Sequence, residues 1–120
     1  MGYQAQESYW ARFQQYIKEQ LGKEATELVT VANNEDISGG KTANLKAYKR
    51  WTLYLKVAGA IDIKVELSPD DGATWYEIPE SPISFSGAGD RVLEMGYDAS
   101  MIRLTGSNST SVTAQIVGRF

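Results

Sequence analysis

The chain contains neither cysteine nor histidine. Without cysteine there is no disulfide, no thiolate nucleophile and no cysteine-ligated metal. Without histidine, the usual general base near neutral pH, the commonest transition-metal ligand and the centre of a Ser-His-Asp arrangement are absent together. Catalysis would have to run on carboxylates, lysine, tyrosine or a Ser-Lys pair, and none of these stands in a recognisable local frame, so the chain is read as a non-enzyme without a cofactor. Basic excess is missing too: 12 Lys and Arg against 15 Asp and Glu leave a formal net charge of −3, which offers nothing to a phosphate backbone. Nucleic acid is therefore not an expected partner. No apolar run reaches the roughly 20 residues of a membrane-spanning helix, and polar residues interrupt the N-terminus where a signal peptide needs an unbroken apolar stretch. These absences predict a chain made in the cytoplasm, with no membrane partner.

What is present fits one folded domain. At 120 residues, folding can bury roughly two-thirds of the surface the unfolded chain exposes. Two grammars divide the chain. Over residues 3–21 the apolar side chains Tyr9, Trp10, Phe13, Tyr16, Ile17 and Leu21 recur at spacings of three and four, and Gly22 stands where a helix closes. This predicts an N-terminal amphipathic helix, residues 1–22, ahead of a β domain over residues 23–120. After Gly22 the period becomes two. Trp51, Leu53, Leu55 and Val57 alternate with polar neighbours, as do Ile61, Ile63, Val65 and Leu67. Ala58-Gly59-Ala60 between them reads as a tight hairpin. Further strands are expected at 28–32, 42–47, 74–78, 83–85, 91–95, 101–105 and 111–117. Eight or nine short strands with one apolar face each predict an antiparallel β-sandwich of jelly-roll type, with a closed barrel as the other arrangement that such alternation allows.

Residues 68–79, SPDDGATWYEIP, fill every fixed place of the Ser-x-Asp-x-Gly-x-Thr-Trp pattern: Ser68, Asp70, Gly72, Thr74 and Trp75. This local match resembles the Asp-box found on hairpins of sialidase-like propellers, where it is a fold-stabilising element. Each residue has a turn role of its own. Pro69 presets its dihedral, the aspartates accept nearby N–H groups, and Gly72 is free to take positive φ. A structural hairpin is the expected role. Calcium at Asp70 and Asp71 would lack further spaced oxygen ligands, so no metal is assigned.

A wider resemblance spans about residues 28–120. The mid-chain Ser-Pro-Asp-Asp-Gly-Ala-Thr-Trp-Tyr hairpin, with the C-terminal runs Met101-Ile102-Arg103-Leu104 and 112–119, resembles small β-sandwich virion structural proteins of tailed phages and archaeal viruses. Asp71 stands where those proteins frequently have Gly. The resemblance implies a virion location and a capsid, decoration or tail subunit, partnered by its own copies and by other virion proteins. The helix supplies an assembly interface for such a homo-oligomer, with Tyr9, Trp10, Phe13, Tyr16 and Ile17 as anchors. Packing of the helix on its own sandwich is the competing account of the same apolar stripe. A different functional class, a carbohydrate-binding sandwich module, is supported by the aromatic candidates Tyr54, Trp75, Tyr76 and Tyr97. A hydrolase using Asp70 and Glu77 is a third reading.

Overall fold

A computed structural model describes residues 26–120. The expected helix, with Tyr9, Trp10, Phe13, Tyr16 and Ile17, lies outside the described residues. Nine strands follow in order: β1 (Thr26–Asp36), β2 (Lys41–Asn44), β3 (Arg50–Val57), β4 (Ile61–Ser68), β5 (Tyr76–Glu77), β6 (Ile83–Phe85), β7 (Gly89–Met95), β8 (Met101–Gly106) and β9 (Ser111–Arg119). They form two sheets, one in the order β1-β9-β3-β7 and the other in the order β2-β8-β4-β5, with β6 also paired to β4. Each strand pair is antiparallel. The chain changes sheet at every step except β4 to β5 and β5 to β6. This is the connectivity of a jelly roll, a sandwich of two Greek keys.

Alternation explains why these segments are strands and which side of each is buried. On β3, Trp51, Leu53, Leu55 and Val57 are buried while Tyr54 and Lys56 are exposed. On β9, Val112, Ala114, Ile116 and Gly118 point inward. From the facing sheet, Ile63, Val65, Ile102 and Leu104 complete the core, and Ile37 and Leu45 enter it from the connections around β2. Burying one such aliphatic side chain stabilises the fold by about 1.5–3 kcal/mol. Gly118 marks a close approach. A Cβ there would lie 2.4 Å from atoms of the Tyr48 ring, which fills the space against β9 and meets the Phe120 ring at a centroid distance of 5.0 Å.

The expected hairpin at residues 58–60 is not one. β3 pairs with β7 and β9, whereas β4 pairs with β5, β6 and β8, so the segment passes from one layer to the other. The apolar faces of β3 and β4 do meet, but across the core and not side by side in a sheet. Residues 45–47 leave the strand expected over 42–47, because Asn44 Oδ1 accepts the Lys46 N–H at 2.8 Å and Lys46 takes a φ of 52°. β1 runs longer than expected and carries two register shifts against β9, between Thr30 and Ala32 and between Ala32 and Glu35. Bulges of this kind blunt an edge strand against unwanted pairing.

Candidate functional site

The Ser-Pro-Asp-Asp-Gly-Ala-Thr-Trp loop joins β4 to β5, whose ladder pairs Glu66 with Glu77 and Leu67 with Tyr76. Ser68 is fully buried at the end of β4. Its hydroxyl donates to Asp70 Oδ1 at 2.9 Å and accepts the main-chain N–H groups of Gly72 at 2.7 Å and Asp70 at 3.3 Å. Asp70 in turn accepts the Thr74 N–H on Oδ1 at 2.9 Å and the Thr74 hydroxyl on Oδ2 at 2.6 Å. The Thr74 hydroxyl, then its N–H and the Ser68 hydroxyl, hold the Asp70 carboxyl below the ordinary aspartate range. Asp71 and Gly72 both have positive φ, 57° and 96°, so the loop reverses within two residues.

Trp75 leaves this loop to pack over the outer side of the five-stranded sheet. The Arg103 guanidinium carbon lies 4.4 Å from its ring centroid, and Arg103 Nε donates to Glu66 Oε1 at 3.0 Å. The Lys64 ammonium is 3.8 Å from the other oxygen of Glu66, a carboxylate that is almost wholly buried. Trp75 therefore stacks on the half-buried cationic end of an ion pair whose carboxylate is buried.

The next residue, Tyr76, is 63% exposed and forms one wall of a groove of about 300 Å³. Leu67, Pro69, Glu77, Ile78 and Pro79 supply the rest of that side, and Tyr97, Asp98 and Ala99 supply the other. The second wall belongs to residues 96–100, the crossover from β7 to β8, and it is fastened at several points. The buried Trp51 donates its indole N–H to the Tyr97 carbonyl at 3.0 Å. Ser100 ties this crossover to the β4–β5 loop: its N–H and its hydroxyl both donate to the Ser68 carbonyl, at 2.8 and 2.9 Å, and its hydroxyl accepts the Asp71 N–H at 2.9 Å. The Tyr97 hydroxyl donates to the Glu80 carboxylate, 2.9 and 3.0 Å from its two oxygens. That bond, with partial loss of water and the charge of Glu80, holds the Tyr97 phenol above its ordinary pKa. The two loops thus form one braced unit, with a tyrosine on either side of the gap.

Of the four candidate aromatic residues, Tyr76 and Tyr97 come together here and the other two do not. Trp75 is committed to Arg103, and Tyr54 lies on the outer face of the four-stranded sheet. Tyr54 is 41% exposed in a smaller groove of about 210 Å³, beside Lys56, Val92 and Gln115. The two carboxylates of the hydrolase reading also part company. Asp70 is engaged by its own loop, and Glu77 follows the register of Glu66, on the face of the strand pair opposite to that of Tyr76. Tyr48 and Trp51, the rings beside Lys49 and Arg50, are buried and present no stacking surface. Among the described residues, no group of three or more His, Cys, Asp or Glu side chains is placed to hold a metal ion. Sequence reasoning missed Glu80 and the Trp51 N–H, because a tryptophan in an alternating strand reads as core and a glutamate between two prolines reads as turn.

No protein-family model matches the chain, and no curated protein matches it. Solved structures of similar architecture include a glycoside hydrolase at 15% identity and a TM-score of 0.49, over 64% of this chain. This chain spans only 18% of that hydrolase. CpGH89CBM32-6, produced by Clostridium perfringens, matches at 15% identity and a TM-score of 0.47, covering 78% of this chain and 94% of that one. A family 29 carbohydrate-binding module from Piromyces equi matches at 12% identity and a TM-score of 0.49, covering 78% and 91%. At these values the likeness is one of sandwich architecture.

These structures are carbohydrate-binding modules and a glycoside hydrolase, not virion proteins, and the expectation of a viral structural subunit with a virion location is corrected accordingly. The physical reason lies in the residues that suggested it. The Ser-Pro-Asp-Asp-Gly loop is closed by its own hydrogen bonds, and the runs over 101–104 and 112–119 are the alternating inner strands β8 and β9. Such features belong to the sandwich as a fold and do not identify a virion.

Proposed function

We propose that this chain is a non-catalytic carbohydrate-binding module and that the Tyr76–Tyr97 groove is its glycan-contacting surface. The observation that carries the reading is the meeting of an exposed Tyr76 ring and a braced Tyr97 ring on one groove of about 300 Å³, the lower end of the size range of small-molecule sites. A pyranose ring has apolar C–H faces and a rim of hydroxyls. Aromatic walls cover the faces, and polar groups at the margin, here Asp98 and the Tyr97 hydroxyl, satisfy the rim. The Tyr97 wall is held before a ligand arrives, so little ordering entropy is lost on that side of the groove on binding. The commitment of Asp70 to its loop supports a binding role over a hydrolytic one.

Affinity electrophoresis of the full chain in gels containing soluble β-glucan, xylan or mannan tests the proposal, with isothermal titration of the matching hexaoses. Retardation by at least one polysaccharide is expected. Tyr76→Ala should weaken binding by about tenfold or more, the equivalent of roughly 1.4 kcal/mol of lost ring contact, and Tyr54→Ala should leave it unchanged. Equal retardation of the wild type and Tyr76→Ala, or none of either, would overturn the reading.

A further inference from the structure

Two walls recognise a sugar ring only while their spacing holds, which turns attention to the group that fixes the outer end of Tyr97. Glu80 sits in the Pro79-Glu80-Ser81-Pro82 connection between β5 and β6, where the flanking prolines restrict the backbone. The connection is fastened on both sides of Glu80. The Ile78 N–H donates to the Val65 carbonyl at 3.1 Å, the Ser81 N–H to the Ile78 carbonyl at 3.1 Å, and the Val65 N–H to the Ser81 hydroxyl at 3.0 Å. An exposed polar pair usually contributes little, because two mobile side chains lose entropy in meeting. Here the backbone beneath each partner is already anchored, by β4 on one side and by Trp51 on the other.

We propose that Glu80 is a positioning residue of the glycan groove: from a rigid loop tip it holds the Tyr97 ring as the fixed second wall and occupies the phenolic O–H. The inference rests on the glycan reading for its ligand, and on the Glu80–Tyr97 geometry for the rest. With its one proton given to Glu80, the Tyr97 oxygen offers a ligand lone pairs only. The ligand group that meets it must therefore be a donor, such as a sugar hydroxyl, and an ether oxygen or a carboxylate at that point is disfavoured. Glu80 bonds the Tyr97 hydroxyl, the charged residues that line the groove, Glu77 and Asp98, are both acidic, and no lysine or arginine lines it. A phenolate at this place would face negative charge, so the protonated form is the one the site maintains.

Full-chain Glu80→Ala, Glu80→Gln and Tyr97→Phe test this against soluble β-glucan, xylan and mannan. Glu80→Ala should bind about tenfold more weakly, the worth of one charge-assisted hydrogen bond, at an unchanged urea midpoint. Glu80→Gln, whose amide oxygen still accepts the O–H, should stay within about twofold. In ultraviolet titration, with Tyr97 isolated from the other tyrosines by difference against Tyr97→Phe, the phenol should ionise at lower pH in both Glu80 variants than in the wild type. A purely structural glutamate would not separate affinity from titration in this way. The proposal is overturned if Glu80→Ala binds like the wild type, or if Tyr97 titrates identically in the two. Should the wild type bind none of the polysaccharides, the glycan reading fails on its own account. The phenol titration and the Trp51 indole N–H resonance then decide on Glu80: unchanged in Glu80→Ala they refute the positioning role, and shifted they retain it.

Discussion

Gly118 has no room for a side chain. Its neighbours on β9 alternate freely between apolar and polar, yet at this position the Tyr48 ring lies where any Cβ would have to be. Gly118→Ala should therefore destabilise the protein by about 1–3 kcal/mol through overpacking, read from the urea midpoint. Combining it with Tyr48→Leu should recover part of the loss, and that non-additivity would show the clash to be local. A single alanine that unfolds nothing, at a position buried against a tyrosine, would contradict the packing described. At this same scale the sequence was partly legible. The sequence offers Tyr76 and Tyr97 among four aromatic candidates, and only the structure separates them from Tyr54 and Trp75. Glu80 is not offered, because its role depends on a partner 17 residues away that no local pattern announces.

The β4–β5 loop is the element whose structure answers most directly to pH. Asp70 has a folded-state pKa below its unfolded value, so its contribution is fully present above the unfolded value and is lost as pH falls through the folded one. Asp70→Ala should melt at a lower temperature than the wild type at pH 7, and the gap between the two should narrow as pH drops below about 4, the ordinary aspartate value. Comparing the two proteins at each pH cancels the titration of Glu27, Glu35 and Asp36, whose carboxyls also lie below their ordinary range. A gap that stays constant from pH 7 to pH 3 would mean that the carboxylate does not brace the loop. Since Tyr76 follows Trp75 directly out of this loop, Asp70→Ala should also weaken the glycan retention proposed above. Strand positions at this scale were readable from the two-residue period, and every expected strand overlaps one of the nine. Strand partners were not. The period tells which side of a strand is buried, and β3 and β4 satisfy it equally whether they lie side by side or face each other across the core.

For the whole molecule, the connectivity decides how stability is shared. Successive strands mostly lie in opposite sheets, so neither sheet can form from one continuous stretch of chain. Most of the contacts are long-range, a topology that folds slowly and as a unit. Leu104→Ala, a truncation in the fully buried centre of β8, should cost about 2–5 kcal/mol. Amide exchange should then quicken together in β9 and β4, although they belong to different sheets. Faster exchange confined to the sheet of β8 would instead indicate layers that open independently.

The two tyrosines of the groove stand on different supports, one on a strand and the other on a crossover. Tyr76 stands on β5, in the five-stranded sheet, and Tyr97 is hung by its carbonyl from Trp51 of β3, in the four-stranded sheet. The mouth between them is a caliper with one jaw on the five-stranded sheet and the other on a crossover pinned to both layers, by Trp51 to β3 and by Ser100 to the end of β4. Close-packed interiors respond to a single methylene, so an aliphatic exchange in the core beneath Trp51 should be felt at the jaw that its indole N–H holds, without altering either ring. On the proposed glycan reading, choice among saccharides of different girth would in this way answer to the oily middle of the protein as well as to the two rings.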